Sequence, residues 1–177
     1  MDVVASTIAT AAASLAAIVD VRTRRIPNWL SLSGVVLGIA LNVFLFETDG
    51  LWFSLKGLGL AFAIYFVLYL LHGMGAGDVK LMSAVGAVAG PGYWLLILIL
   101  TSVAGAAVGL LIIAAKGRFR RTFENILVIL ISFRHGQLPY KENPQLDVRS
   151  GEGLRLPHAV MIAFGTLVAI WAPWAPR

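Results

Sequence analysis

The chain has 177 residues, of which 59% are hydrophobic and 13% charged, with a net charge of +5 and a mean hydropathy of +0.85. Soluble globular domains are about 45–50% apolar and about 25% charged, so the composition counts against a soluble enzyme, a disordered tail and a basic nucleic-acid binder. The absence of cysteine excludes disulfides, thiolate zinc sites and cysteine nucleophiles. A small polytopic membrane protein remains, read as one domain over residues 1–177.

A bilayer core of about 30 Å is crossed by roughly 20 apolar residues of helix. Six candidate spans follow in chain order: 3–19, 28–46, 51–71, 79–89, 93–115 and 157–174. The fourth is short, is expected to start at Asp78, and is ended by Gly90-Pro91-Gly92, where proline cannot continue the helical ladder. A short helix is tolerable where protein rather than lipid surrounds it. The first span is not read as a cleaved secretory signal, because Asp2 precedes it and Arg22, Arg24 and Arg25 follow it, the reverse of a signal's charge order.

Basic residues collect in cytoplasmic loops. With the N-terminus outside, the inner loops 20–27, 72–78 (with Lys80 at its edge) and 116–156 hold 12 of the 14 Lys and Arg residues. Anionic lipid of the inner leaflet accounts for this balance, and no nucleic-acid partner is implied. Both termini are expected outside the cytoplasm. Within the last inner loop, Phe119, Phe123, Ile126, Leu127, Leu130 and Ile131 recur at helical spacing beside Arg120, Arg121 and Glu124. That stretch is too short to span and predicts an interfacial amphipathic helix. The expected fold is therefore all-α, with six transmembrane helices and one cytoplasmic interfacial helix.

Gly34/Gly38, Gly86/Gly90 and Gly105/Gly109 have the small-xxx-small spacing that lets membrane helices approach closely. Ala9, Ala13, Ala16 and Asp20 share one face of the first helix. The tryptophans Trp29, Trp52, Trp94, Trp171 and Trp174 lie near span ends and read as interfacial anchors.

Two acids stand apart from the loop and outer-end carboxylates. Asp20 closes the first span, and Asp78 follows Gly73-Met74-Gly75-Ala76-Gly77 at the start of the fourth. Both fall at the cytoplasmic edge in the orientation fixed by charge, and ionisable groups at membrane depth are candidates for function. Two carboxylates sharing a site hold one proton between them. The charged one can take a proton from an attacking water while the protonated one donates to the carbonyl oxygen or the leaving amine, without metal or cofactor. Plainer roles stand beside this: Asp78 as a helix N-cap and Asp20 as the partner of Arg24 one turn on. His72 and His158 read as satisfied structural groups. Ser31, Ser33, Ser83 and Ser102 are candidate nucleophiles that read more simply as packing groups.

Gly75-Ala76-Gly77-Asp78 resembles the GxGD signature of intramembrane aspartyl proteases. The longer strings Gly73-Met74-Gly75-Ala76-Gly77-Asp78-Val79-Lys80-Leu81 and Asp20-Val21-Arg22-Thr23-Arg24-Arg25-Ile26-Pro27-Asn28 resemble type IV prepilin peptidases, above all the short form that serves Flp/Tad-type pili. The resemblance implies removal of a short basic leader from prepilins and pseudopilins at the cytoplasmic membrane face. It also implies Asp20 and Asp78 as the catalytic pair and Gly75 and Gly77 as the active-site loop. Long members of that family carry a cysteine tetrad and methylate the new N-terminus, which this cysteine-free chain is not expected to do. Presenilin relatives pair GxGD with Tyr-Asp and end with Pro-Ala-Leu, whereas this chain has Val19-Asp20 and Leu156-Pro157-His158. A helix N-terminus favours a negative charge and a C-terminus does not. Asp78 is therefore expected to be the ionised base and Asp20 the holder of the proton. A proton-coupled transporter and a non-catalytic pilus scaffold remain the alternatives.

Overall fold

The computed structural model describes residues 7, 10, 11, 13–15, 17, 18, 27–135 and 158–171, with the side chains of 121 and 133 left aside. Among these residues there are helices and no strands. Four helices carry the fold: α1 (Asn28–Leu70), α2 (Ala76–Lys116), α3 (Phe119–Arg134) and α4 (His158–Trp171). The described residues between 7 and 18 are helical as well. Asp20, the segment 19–26, the loop 136–157 and Trp174 lie outside the described residues.

Both α1 and α2 are long and apolar enough to cross a membrane. At 1.5 Å per residue, a straight helix of 43 residues would reach about 65 Å, roughly twice the hydrocarbon core. Neither is straight. Glu47 (φ 51°, ψ −128°) interrupts α1, and Gly90 (φ 71°, ψ 174°) interrupts α2. The first break folds α1 back on itself, since Ser54 Oγ donates to the Gly38 carbonyl at 3.3 Å and Gly50 lies against the Asn42 backbone.

The second break is a consequence of sequence. Pro91 has no amide hydrogen and cannot pair with the Ala87 carbonyl four residues before it. Asn42, 2% exposed, supplies the missing donor: its Nδ2 reaches the carbonyls of Ala87 and Val88, each at 3.2 Å. The Phe53 ring fills the space where a side chain on Gly90 would lie.

Glycine contacts set the packing. A Cβ on Gly34 would touch Ala84 Cβ at 3.0 Å, and one on Gly38 would collide with Val88, so the first half of α1 runs parallel to the first half of α2. Gly57 meets Gly86 and Gly90, bringing the second half of α1 to the same segment. Residues 81–90 are consequently buried on every side, as a short apolar helix inside a bundle requires. Gly105 and Gly109 meet nothing within 4 Å, so their spacing serves no contact among the described residues. Gly165 of α4 packs on Thr101 and Ile97, and Trp171 Nε1 donates to Thr10 Oγ1 at 3.0 Å, joining the last helix to the N-terminal one.

Two expectations need correction. Trp94 is no interfacial anchor: it is fully buried, with its ring edge-on to Tyr65 at 6.3 Å, because the bend at Gly90 turns it into the bundle. By contrast Trp29, Trp52 and Trp171 are exposed at 68%, 61% and 56%. Nor is His158 a satisfied group, for its Nε2 is buried without a hydrogen-bond partner among the described residues.

Candidate active site

The glycine-rich stretch between α1 and α2 is short and tightly tied. His72 closes α1 in the left-handed region (φ 59°), and the Gly73 amide donates back to the Leu68 carbonyl at 3.0 Å. Gly75 is the residue that caps α2, so the helix starts two residues earlier than the expected Asp78 and places Asp78 in its third position. The carboxylate acts in reverse of the simple cap: Asp78 Oδ2 accepts the Gly75 N–H at 3.2 Å, while the Asp78 amide donates to the Gly75 carbonyl at 3.1 Å. A side chain at Gly75 would press on that carboxylate oxygen at 3.3 Å.

Asp78 is half-buried, with the first-turn amides of α2 around it, a setting that favours negative charge. Tyr65 of α1 is buried in the same bundle, 1% exposed. The Tyr65 ring also meets the His158 ring at 6.2 Å. Nothing in the sequence singled out Tyr65, which reads as one more aromatic residue of an apolar span.

The second expected carboxylate, Asp20, lies outside the described residues, but the segment that carries it ends at Pro27 and Asn28. Pro27 is extended (φ −62°, ψ 141°) and caps α1, its carbonyl accepting the Leu30 amide at 3.2 Å. Lys80 Nζ donates to Asn28 Oδ1 at 2.8 Å. This bond links the last residue of the first motif string to the second string, two residues past Asp78. The N-termini of α1 and α2 therefore lie at the same end of the bundle.

The four candidate serines have local partners. Ser31, Ser33, Ser83 and Ser102 each donate to a backbone carbonyl three or four residues earlier in their own helix, the ordinary behaviour of small hydroxyls inside helices.

The sequence profile of the type IV leader peptidase family matches residues 7–110. The match takes in both motif strings, the whole of α1 and the buried first half of α2. No curated protein and no solved structure matches the chain.

Proposed function

The chain belongs to the type IV leader peptidase family, and from that premise we propose that it is an intramembrane aspartyl endopeptidase. Its substrates are Flp-type prepilins and pseudopilins, from which it removes the short basic leader at the cytoplasmic membrane face. The Lys80–Asn28 bond supports this reading: it joins the last residue of the string that begins with Asp20 to the first turns of α2, two residues past Asp78.

In this mechanism Asp78 is the ionised base. It lies in the first turn of α2, whose aligned amides favour an anion. Asp20 holds the shared proton. Asp78 takes a proton from water as the water oxygen attacks the scissile carbonyl carbon, and Asp20 gives its proton to the carbonyl oxygen. Collapse of the resulting gem-diol breaks the C–N bond as Asp78 passes its proton to the leaving amine and Asp20 takes a proton back from a gem-diol hydroxyl, which re-forms the carbonyl and restores both carboxyl groups. Gly75 and Gly77 leave room for the extended leader to approach the carboxylates.

In the membrane, α1 and α2 each make two crossings, divided at Glu47 and Gly90. With the N-terminal helix and α4 they form a six-span bundle, one domain, with both termini outside. The α3 helix lies on the cytoplasmic surface. Its burial supports this placement: among the described side chains Ser132 is buried, Thr122, Asn125, Val128 and Ile129 are half-buried, and the rest are exposed. Phe119, Phe123, Ile126, Leu127, Leu130 and Ile131 are all more than 40% exposed. An amphipathic helix facing water would have the opposite arrangement, whereas a helix on a bilayer turns these residues to lipid.

The test is cleavage of a Flp-type prepilin by the detergent-purified protein, beside Asp20→Asn and Asp78→Asn variants that keep their fold. Processing by the parent and by neither variant is the expected result. Processing that survives either substitution refutes the carboxylate mechanism.

A further inference from the structure

We infer that Tyr69 is a further catalytic residue of the peptidase, its hydroxyl donating a hydrogen bond to the oxygen of the scissile carbonyl. The inference rests on the peptidase reading and deepens it.

The second half of α1 and the first half of α2 pack ridge against ridge, the residues of each ridge lying four apart. Gly57 sits between Gly86 and Gly90, and Ala61 lies against Gly86. One step further along each ridge come Tyr65 and Met82, 1% and 0% exposed. The next step brings Tyr69 on α1 and Asp78 on α2, both half-buried. Tyr69 therefore stands level with the first turn of α2, on the ridge that packs against the one carrying Asp78.

Side-chain size grows along this seam. Glycine on glycine lets the backbones touch at the Gly90 end, whereas Tyr65 and Met82 hold the helices further apart nearer Asp78. Burial falls in the same direction, from full at Tyr65 and Met82 to partial at Tyr69 and Asp78. The wider end of the seam can take an extended peptide between the carboxylate and the phenol.

The Tyr69 ring is well supported. It stacks on Phe66 at 6.1 Å and packs against the buried core, and the Tyr69 carbonyl accepts the His72 amide at 3.0 Å in the turn that ends α1. Tyrosine suits such an edge, with an apolar body and a polar tip. Its O–H can donate to the oxygen on which charge develops as water attacks, while Asp78 takes the proton of that water.

The experiment is prepilin cleavage kinetics with the full-length protein in lipid, using Tyr69→Phe and Tyr93→Phe, with thermal unfolding of each followed in parallel. Phenylalanine keeps the ring against Phe66 and removes only the donor. Tyr69→Phe is expected to lower kcat roughly 10²-fold, as loss of one oxyanion donor does, with KM and the unfolding midpoint unchanged. Tyr93→Phe, at a half-buried tyrosine beyond the Gly90 break, should cleave like the parent. Unchanged kcat in Tyr69→Phe overturns the inference. So does a loss confined to KM, which is a ground-state contact, or an equal loss in Tyr93→Phe.

A second measurement needs no peptidase activity: cross-linking of Tyr69→Cys with Asp78→Cys by a short bifunctional thiol reagent, in a chain with no other cysteine. Leu70→Cys with Asp78→Cys is the comparison, since Leu70 is 52% exposed and off the ridge. The Tyr69 pair should link faster, and equal or reversed rates overturn the register. Faster linking at Tyr69 in a protein whose parent cleaves no prepilin leaves the register standing and refutes the peptidase reading, and with it the catalytic role of Tyr69.

Discussion

The Asn42 side-chain amide lies 3.2 Å from the Ala87 carbonyl oxygen, the acceptor that Pro91 deprives of its helical donor. Asn42 also reaches Val88 at 3.2 Å and Gly38 at 3.0 Å, so one buried amide serves three backbone carbonyls. Leucine matches asparagine in size but donates nothing, and leaving buried carbonyls unpaired costs about 1–3 kcal/mol. Asn42→Leu is expected to lower thermal stability in detergent by that order, despite adding apolar surface in an apolar setting. An unchanged unfolding midpoint would mean that other groups satisfy the break.

The break itself discriminates among glycines. Gly90 has φ 71° and ψ 174°, a region open almost only to glycine, and the Phe53 ring occupies the place of its missing side chain. Gly90→Ala is therefore expected to destabilise by about 2 kcal/mol or more, since backbone strain of ~1–3 kcal/mol and a collision add. Gly105→Ala, in a helix interior and in open space, should be neutral or slightly stabilising, because alanine loses less backbone entropy by about 0.5–1 kcal/mol. Comparable losses at both positions would sink the argument. Unfolding of the two variants side by side decides it.

These two positions also show what the sequence could convey. The Gly90-Pro91-Gly92 run announces a break because proline and glycine act locally, whatever surrounds them. What lies beyond the break is not local: a tryptophan four residues on reads the same whether the chain turns toward lipid or inward, and Trp94 turns inward against Tyr65. Asp78 was legible as a helix-start carboxylate but not its exact turn, since Gly73-Met74-Gly75-Ala76-Gly77 offers no single cap, and Gly75 takes that role. Asn28 and Lys80 lay in plain view within the two motif strings. Their pairing spans 52 residues and depends on a parallel helix register that no short-range pattern encodes. The spacing of Gly105 and Gly109 equals that of Gly34 and Gly38, yet among the described residues only the latter pair meets another helix.

The proposed membrane-surface placement of α3 is open to a direct test. Phe123 is 64% exposed, and Arg118 and Arg120 stand exposed at the start of the helix, where anionic headgroups would meet them, at about 1 kcal/mol per basic residue. With no native cysteine, a Phe123→Cys variant can carry one environment-sensitive fluorophore. Transfer from detergent to vesicles containing phosphatidylglycerol should shift its emission to the blue and protect it from iodide, more than at Asn125→Cys on the protein-facing side. Equal quenching at the two sites would place the apolar face in water and remove α3 from the membrane.

The capping role of Asp78 and the catalytic role proposed for it can be separated by substitution. Asparagine keeps a side-chain oxygen that can accept the Gly75 N–H but carries no charge and cannot hold a proton. Alanine removes both. Asp78→Asn is expected to abolish general-base catalysis, a loss of roughly 10²–10⁴-fold, while unfolding like the parent. Asp78→Ala should lose the same activity and also about 0.5–2 kcal/mol of stability, the usual cost of a lost cap. Gly77→Val sharpens the contrast: it leaves the carboxylate in place but narrows the approach of a leader strand, so cleavage should fall more than stability. Rates of prepilin processing and unfolding midpoints, measured on the same three preparations, test all of this together. If Asp78→Asn still processed prepilin, Asp78 would be a helix cap alone; equal losses of activity and stability in Gly77→Val would make that glycine purely structural.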